Sequence, residues 1–205
     1  MSKLLIATTN PGKLAEFKQF LADVPIEIVS LSDVSIHRKP EETGKTFKEN
    51  AILKAKFYQK LTGLPTLADD GGFEIDALDG EPGIKSHRWV NPERESSDEE
   101  LITYTIKRLT GIPLDQRGAK LRLVLALVLS DGNTHTVEAK IRGIVPLKPG
   151  THRTEGFPYR SLLFLPEINK FYDKQLLTVA ENEQYNHRKK AVEQLKPIID
   201  RLLTS

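Results

Sequence analysis

Hydrophobic residues in this chain recur with two periods, and the switches between them mark out its elements. Leu4, Leu5, Ile6 and Ala7 are apolar in unbroken succession, which predicts a strand buried on both faces over Lys3 to Thr8. Asn10 then stands as an N-cap with Pro11 at the first helical position, and Leu14, Phe17 and Leu21 fall on one helical face. Ile26 to Val29 predicts a second strand. A polar loop through Glu41-Glu42-Thr43-Gly44 leads to a helix over about 46–62. Thr46 and Glu49 have capping-box spacing there, Ala51, Ala55 and Tyr58 share a stripe, and Gly63 before Pro65 stops it.

Leu64 to Ala68 predicts a short strand, Asp69-Asp70-Gly71-Gly72 a turn that exposes its carboxylates, and Phe73 to Leu78 another strand ending at Gly80. Ser97 and Glu100 cap a helix through Leu109, closed by Gly111 and Pro113. Leu121 to Leu129 is apolar on both faces, Asp131-Gly132-Asn133 turns the chain, and Val137, Ala139 and Ile141 alternate with Glu138, Lys140 and Arg142. That is a hairpin of one central and one half-exposed strand. A loop-rich stretch from Pro146 to Pro166 surrounds a short strand, Ser161 to Leu165, and a last helix runs from about Ala180 to Leu203, with Pro197 as its kink point. This order, with no repeat and no linker, predicts one α/β or α+β unit with a mixed sheet.

The chain has 205 residues, the length of one domain or one two-lobed unit. Hydrophobic residues at 39% and charged residues at 28% are globular values. A net charge of +2 is too balanced for a protein that coats nucleic acid or anionic membrane, so neither is expected as a partner and any basic site must be local. The absence of cysteine excludes disulfides, thiolate zinc sites and thiol nucleophiles, and it fits the cytoplasm, the expected location. The opening residues meet Asn10-Pro11-Gly12 too early for a signal peptide. No stretch approaches the roughly 18 apolar residues of a membrane span.

Three segments carry candidate chemistry. Thr8-Thr9-Asn10-Pro11-Gly12-Lys13 places hydroxyls, an amide, a glycine and an ammonium at a helix N-terminus just after a strand, an arrangement that suits phosphate. The same residues also read as an ordinary N-cap beside a solvated lysine. The acids Glu41, Glu42, Asp69 and Asp70 offer hard oxygen ligands of the kind Mg2+ takes together with waters and phosphates, or alternatively an ordinary loop and turn. Phe157, Tyr159 and Arg160, with His187 and Arg188, combine rings and donors that suit a nucleobase, although each is separately common in cores and rims. His37, His87, His135 and His152 lack metal-ligand spacing.

Four dispersed segments agree in order: Ala7-Thr8-Thr9-Asn10-Pro11-Gly12-Lys13, Glu42-Thr43-Gly44-Lys45-Thr46-Phe47-Lys48-Glu49-Asn50-Ala51, Leu67-Ala68-Asp69-Asp70-Gly71-Gly72 and Asn186-His187-Arg188. Together with Gly80-Glu81-Pro82-Gly83-Ile84 they resemble the inosine triphosphate pyrophosphatase family over nearly the whole length. The resemblance implies a long central mixed sheet with flanking helices, two lobes enclosing a cleft, Mg2+ dependence and a homodimer. It implies hydrolysis of non-standard purine triphosphates (ITP, dITP, XTP) to the monophosphate and pyrophosphate, which cleanses the nucleotide pool. Thr8, Thr9, Asn10 and Lys13 would hold phosphates. Asp70 would engage metal and direct water at the α-phosphorus, with Asp69 and Glu41 or Glu42 as further metal-site acids. Phe157 and Tyr159 would line the base slot, and His187 and Arg188 would contact the base edge; Gly71 and Arg160, which depart from the family's residues, are also expected to touch the substrate.

The departures from the family pattern fall in its recognition half. Where the family reads Gly-Phe-Gly-Tyr-Asp-Pro, this chain has Gly156-Phe157-Pro158-Tyr159-Arg160-Ser161. Gly71 replaces a serine, Asn182 stands where a lysine is usual, and Asn186 replaces the serine before His187. Two alternatives follow: the same chemistry with a shifted base, as in Maf-type pyrophosphatases, or a nucleotide-binding protein without catalysis.

Overall fold

The computed structural model describes residues 2–201, which divide into two compact units. Strands β1 (Lys3–Ile6), β2 (Glu27–Ser30), β3 (Thr66–Ile75), β4 (Gly118–Val128), β5 (Thr134–Ile144), β6 (Phe164–Leu165) and β7 (Lys170–Phe171) hydrogen-bond in the order β2-β1-β3-β4-β5-β6-β7. β1 is parallel to β2 and β3, whereas β6 is antiparallel to β5 and β7. The sheet is mixed and helices flank it, as the order of elements predicts.

The first unit takes the chain up to Asp70, Leu123–Ala139 and the segment from His187 onward. Its core is sorted by the strand period of two, which sends alternate side chains to opposite faces. Leu4, Ile6, Leu67, Leu123 and Leu125 pack with Phe17 and Phe20 of helix α1 (Pro11–Phe20) and with Val192, Leu195 and Ile199 of α5 (His187–Arg201). Leu5, Ala7, Ala68, Val124 and Ala126 pack with Phe47, Ala51, Ala55 and Tyr58 of α2 (Phe47–Thr62). Double coverage is why β1 and the end of β4 are apolar at every position. α2 begins where expected: Thr46 Oγ accepts from the Glu49 N–H at 3.1 Å, and Gly63 ends it in the left-handed region at φ 71°.

The second unit takes Gly71–Arg122 and Lys140–Asn186. Helix α3 (Asp98–Arg108) carries the Ser97/Glu100 capping box and packs Leu101 and Ile102 against Phe73, Ile75, Leu162 and Leu163.

Three expectations are corrected. Asp69-Asp70-Gly71-Gly72 is no turn but lies inside the ten-residue β3. Neither Gly71 nor Gly72 adopts a positive φ, and pairing with neighbouring strands overrides the turn preference of the sequence. The final helix is two helices, α4 (Val179–Tyr185) and α5, separated at Asn186, whose backbone is extended; Leu203 lies outside the described residues. The expected strand from Ser161 begins as a 3-10 turn, only Phe164–Leu165 being extended, and β7 was not anticipated because two residues carry no period.

A Cβ added at Gly143 of β5 would fall onto the carbonyl oxygen of Phe164 on β6. Gly143→Ala is therefore expected to lower stability by about 1–3 kcal/mol, read as a reduced urea midpoint.

Candidate active site

The turn after β1 is built by its own side chains. Thr8 Oγ accepts from the Asn10 N–H at 3.2 Å, and Asn10 Oδ1 caps α1 by accepting from the Lys13 N–H at 3.0 Å. No acidic residue occupies the first turn of α1, so the positive end of the helix is left for an external anion. Thr9 is exposed and lines a hollow between this turn and the 30–39 segment.

One strand further along the sheet, Asp69 and Asp70 follow each other on β3 and therefore point to opposite faces. Asp69 shares its face with Leu67, the side covered by α1 and α5. It is 3% exposed and meets Lys13 Nζ at 2.9 Å and Arg188 Nη2 at 3.4 Å. Arg188 also pairs with Glu16 at 2.5 Å. Lys13, Asp69, Arg188 and Glu16 thus form a charge-balanced network, of which the last three are buried. Burial alone would push the Asp69 carboxyl up, but Lys13, Arg188 and Lys54 together outweigh it and hold the group well below the usual carboxylate range.

Asp70 shares its face with Ala68, the side of α2. Lys54 of α2 reaches Asp70 at 3.3 Å and Glu42 at 3.0 Å. Burial pulls the Lys54 ammonium down, yet Asp70, Asp69 and Glu42 carry it up to about 12. The Asp70 carboxyl moves the other way from its neighbour: burial, with Glu42 and Asp69 adding repulsion, raises it against the pull of Lys54 and Lys13. Lys13 therefore acts on both acids while pairing directly with Asp69.

The loop that carries Glu42 is tied to the start of α2. Gly44 N–H donates to Asn50 Oδ1 at 2.8 Å and Lys45 N–H donates to Glu49 Oε2 at 2.6 Å. A Cβ at Gly44 would stand 2.8 Å from Glu49 Cβ, too close for any other residue to sit there undisturbed. Glu49 serves the loop, as its capping position implied, and Glu41 is exposed.

Of the four acids considered for metal, Glu42 and Asp70 converge on one point, marked by Lys54. Asp69 does not join them, because it faces the other side of the sheet and its charge is already matched. Among the described residues no group of three or more acids or histidines is placed to hold a metal alone. Two hard carboxylates fit an ion such as Mg2+, which characteristically takes one or two carboxylates and fills its remaining positions with water and phosphate oxygens.

The recognition residues are placed differently from expectation. Tyr159 is in the core of the second unit: its ring stacks on Phe73 with centroids 4.8 Å apart, and its hydroxyl donates to the Ser86 carbonyl at 2.7 Å. Arg160 is also buried, its guanidinium 3.9 Å from the ring centroid of the half-buried Phe157. Gly71 continues β3, half-buried. His187 is buried at the first position of α5, and Arg188 beside it is committed to Asp69 and Glu16.

The Ham1 family profile matches residues 4–198. The chain belongs to the Ham1 family. Among the relatives of this Ham1 protein, a dITP/XTP pyrophosphatase from Thermus thermophilus is 38% identical over 94% of this chain and 89% of its own. One from Geobacter sulfurreducens is 36% identical over 96% of each. The structure of a HAM1 protein from Coxiella burnetii superimposes with a TM-score of 0.84 at 30% identity, covering 98% of this chain and all of that one. A nucleoside-triphosphatase / dITP/XTP pyrophosphatase from Mycobacterium abscessus gives 0.73 at 34%, covering 95% and 99%.

Two site residues of this Ham1 chain escaped the sequence reading. Lys54 lies within the apolar stripe of Ala51, Ala55 and Tyr58, and a charge inside a buried stripe demands a partner. That was a usable signal. Glu16 follows Lys13 by one helical turn, which looks like an ordinary surface pair, so nothing local distinguished it. Because Glu16 is 4% and Arg188 6% exposed, Arg188→Met is expected to cost about 3–5 kcal/mol by stranding buried carboxylates. Urea unfolding reads this; a stability-neutral outcome would make Arg188 a ligand contact rather than a structural cation.

Proposed function

We propose that this protein hydrolyses non-standard purine nucleoside triphosphates, dITP and XTP foremost, to the monophosphate and pyrophosphate. The observation that carries the reading is the division of labour on β3: Asp69 is saturated by two cations, whereas Asp70, one residue away on the opposite face, shares the single cation Lys54 with Glu42. Burial and the neighbouring acids raise the Asp70 carboxyl above its ordinary value, which makes it a better proton acceptor. Asp70 would orient a water and take its proton as the water attacks the α-phosphorus, pyrophosphate leaving in line. Lys13, the first-turn amides of α1 and Lys54 would hold phosphate oxygens and offset charge as it moves toward the leaving group. The names of the relatives supply the substrate class.

The reading includes Mg2+ held by Glu42 and Asp70, an ion that supplies positive charge to the phosphates when bound. It also includes a cytoplasmic homodimer, supported by the family resemblance and, for the compartment, by the lack of cysteine. Among the described residues no helix is long and apolar enough to cross a membrane.

Incubation with dITP, XTP, ITP and the standard triphosphates in Mg2+ should release pyrophosphate fastest from the first three. Orthophosphate as the product, or equal turnover of ATP and GTP, would defeat the reading. Asp70→Asn should lower kcat by about 10²–10⁴-fold while leaving the urea midpoint nearly unchanged. Chelation with EDTA should abolish turnover, and added Mg2+ should restore it.

A further inference from the structure

Glu42 stands on a stretch without regular secondary structure, residues 36–44. Its side chain is 46% exposed, and its ion-pair partner among the described residues is Lys54. A pair so open to water is too weak to hold a loop in place. Among the described residues the backbone of 39–43 makes no hydrogen bond of its own. What fixes Glu42 must therefore act at the two ends of the stretch.

Both ends are fastened to α2, wholly within the first unit. Downstream of Glu42, the Gly44 N–H donates to Asn50 Oδ1 at 2.8 Å; upstream, the Tyr58 hydroxyl donates to the Arg38 carbonyl at 3.0 Å. Asn50 and Tyr58 are each 3% exposed, so losing either bond strands a polar group out of reach of water. The close approach at Asn50 requires a residue without a side chain, since a Cβ on Gly44 would come within 2.5 Å of Asn50 Oδ1.

The points of attachment are evenly spaced. Asn50, Lys54 and Tyr58 follow one another at four-residue intervals along one side of α2, and they meet Gly44, Glu42 and Arg38 in that order. The stretch is thus laid antiparallel to the helix and pinned at both ends. Glu42 falls on the middle position, where Lys54 also reaches Asp70 at 3.3 Å. The two pins are neutral and buried while the middle contact is charged and open, so Glu42 is free to exchange Lys54 for another partner without the stretch moving.

We infer that Asn50 and Tyr58 are positioning residues, which pin the 38–44 stretch along α2 and so present Glu42 beside Asp70. Both act through the backbone of the stretch and not on the substrate. The inference deepens the proposed function and rests on it in one respect: the pins matter to turnover only where Glu42 and Asp70 work as a pair.

The first measurement uses the full chain free of metal and nucleotide. Tyr58→Phe, which keeps the buried ring, and Asn50→Ala should each speed cleavage by a glutamate-specific protease after Glu41 and Glu42 by about threefold to tenfold, the effect of one lost hydrogen bond on local opening. Melting curves check that the variants are folded, and Tyr58→Phe carries the test if Asn50→Ala is not. The second measurement is turnover of dITP against Mg2+ concentration. Each variant should raise the concentration for half-maximal rate by about threefold or more and leave kcat at saturating Mg2+ within about twofold, whereas general loss of folded protein would lower kcat instead. Combined with Glu42→Gln, the same substitutions should have no further effect, because the group they position is gone. Unaltered cleavage in both variants, effects that add to that of Glu42→Gln, or a lowered kcat with an unchanged Mg2+ requirement would each overturn the inference. If the unsubstituted chain hydrolyses no triphosphate, the proposed reaction fails, and the cleavage rates alone decide whether the two residues pin the stretch.

Discussion

Consecutive residues of a strand cannot share a face of their sheet, and at Asp69 and Asp70 that constraint produces two different acids from one dipeptide. One face is roofed by α1 and α5, which bring Lys13 and Arg188; the other by α2, which brings Lys54. The resulting carboxyls shift in opposite directions although both are shielded from water. Desolvation disfavours both charges, and what separates them is the number of cations within direct reach. Asp69 has two, bonded and buried. Asp70 has one, shared with Glu42.

The cations that settle these charges are also the residues that dock the helices. Arg188 follows the break at Asn186 and places its guanidinium between a residue of α1 and a residue of β3. The network therefore ties the start of α5 to the start of α1 across the same face that buries Phe17, Val192 and Leu195. A buried ion pair is weak evidence for net stability, since well-packed apolar groups would often do as well. Breaking it is another matter, because removal of Arg188 would leave the buried Glu16 without this partner and Asp69 with Lys13 alone.

The amino-acid sequence made most of the architecture legible because much of it is written in local periods. β1 and α2, with the caps at Asn10, Thr46 and Ser97, are set by apolar spacing and by one hydrogen-bonding side chain each, and these survive folding unchanged. What was not legible depended on pairing between distant segments. Asp69-Asp70-Gly71-Gly72 has the composition of a turn, and only the strands beside it hold it extended. The same error hid the site's geometry, since a turn would have put both acids in solvent on one side. Tyr159 and Arg160 are ambiguous for another reason: aromatic and guanidinium groups suit a nucleobase and a protein core equally well, and the partners that bury them, Phe73 and Ser86 for the tyrosine, lie far off in sequence.

The charges around β3 also bear on why the proposed chemistry calls for a metal. Lys13, Lys54 and Arg188 face Glu16, Glu42, Asp69 and Asp70 in two sets of ion pairs, Lys13–Asp69–Arg188–Glu16 on one face of β3 and Glu42–Lys54–Asp70 on the other. Three cations against four carboxylates leave this region slightly negative before any substrate arrives. A polyphosphate tail brings several further negative charges, and one helix terminus equivalent to roughly half a positive charge does not offset them. Moving Lys13 onto a phosphate would strip Asp69 of one of its two partners, leaving Arg188 to serve both Asp69 and Glu16. Lys13 and Lys54 would thus be shared between the protein's own acids and the phosphates they hold. On the proposed reading a divalent ion arriving with the phosphates would make up the balance, and Glu42 and Asp70, the two carboxylates whose charge is least matched, would receive it.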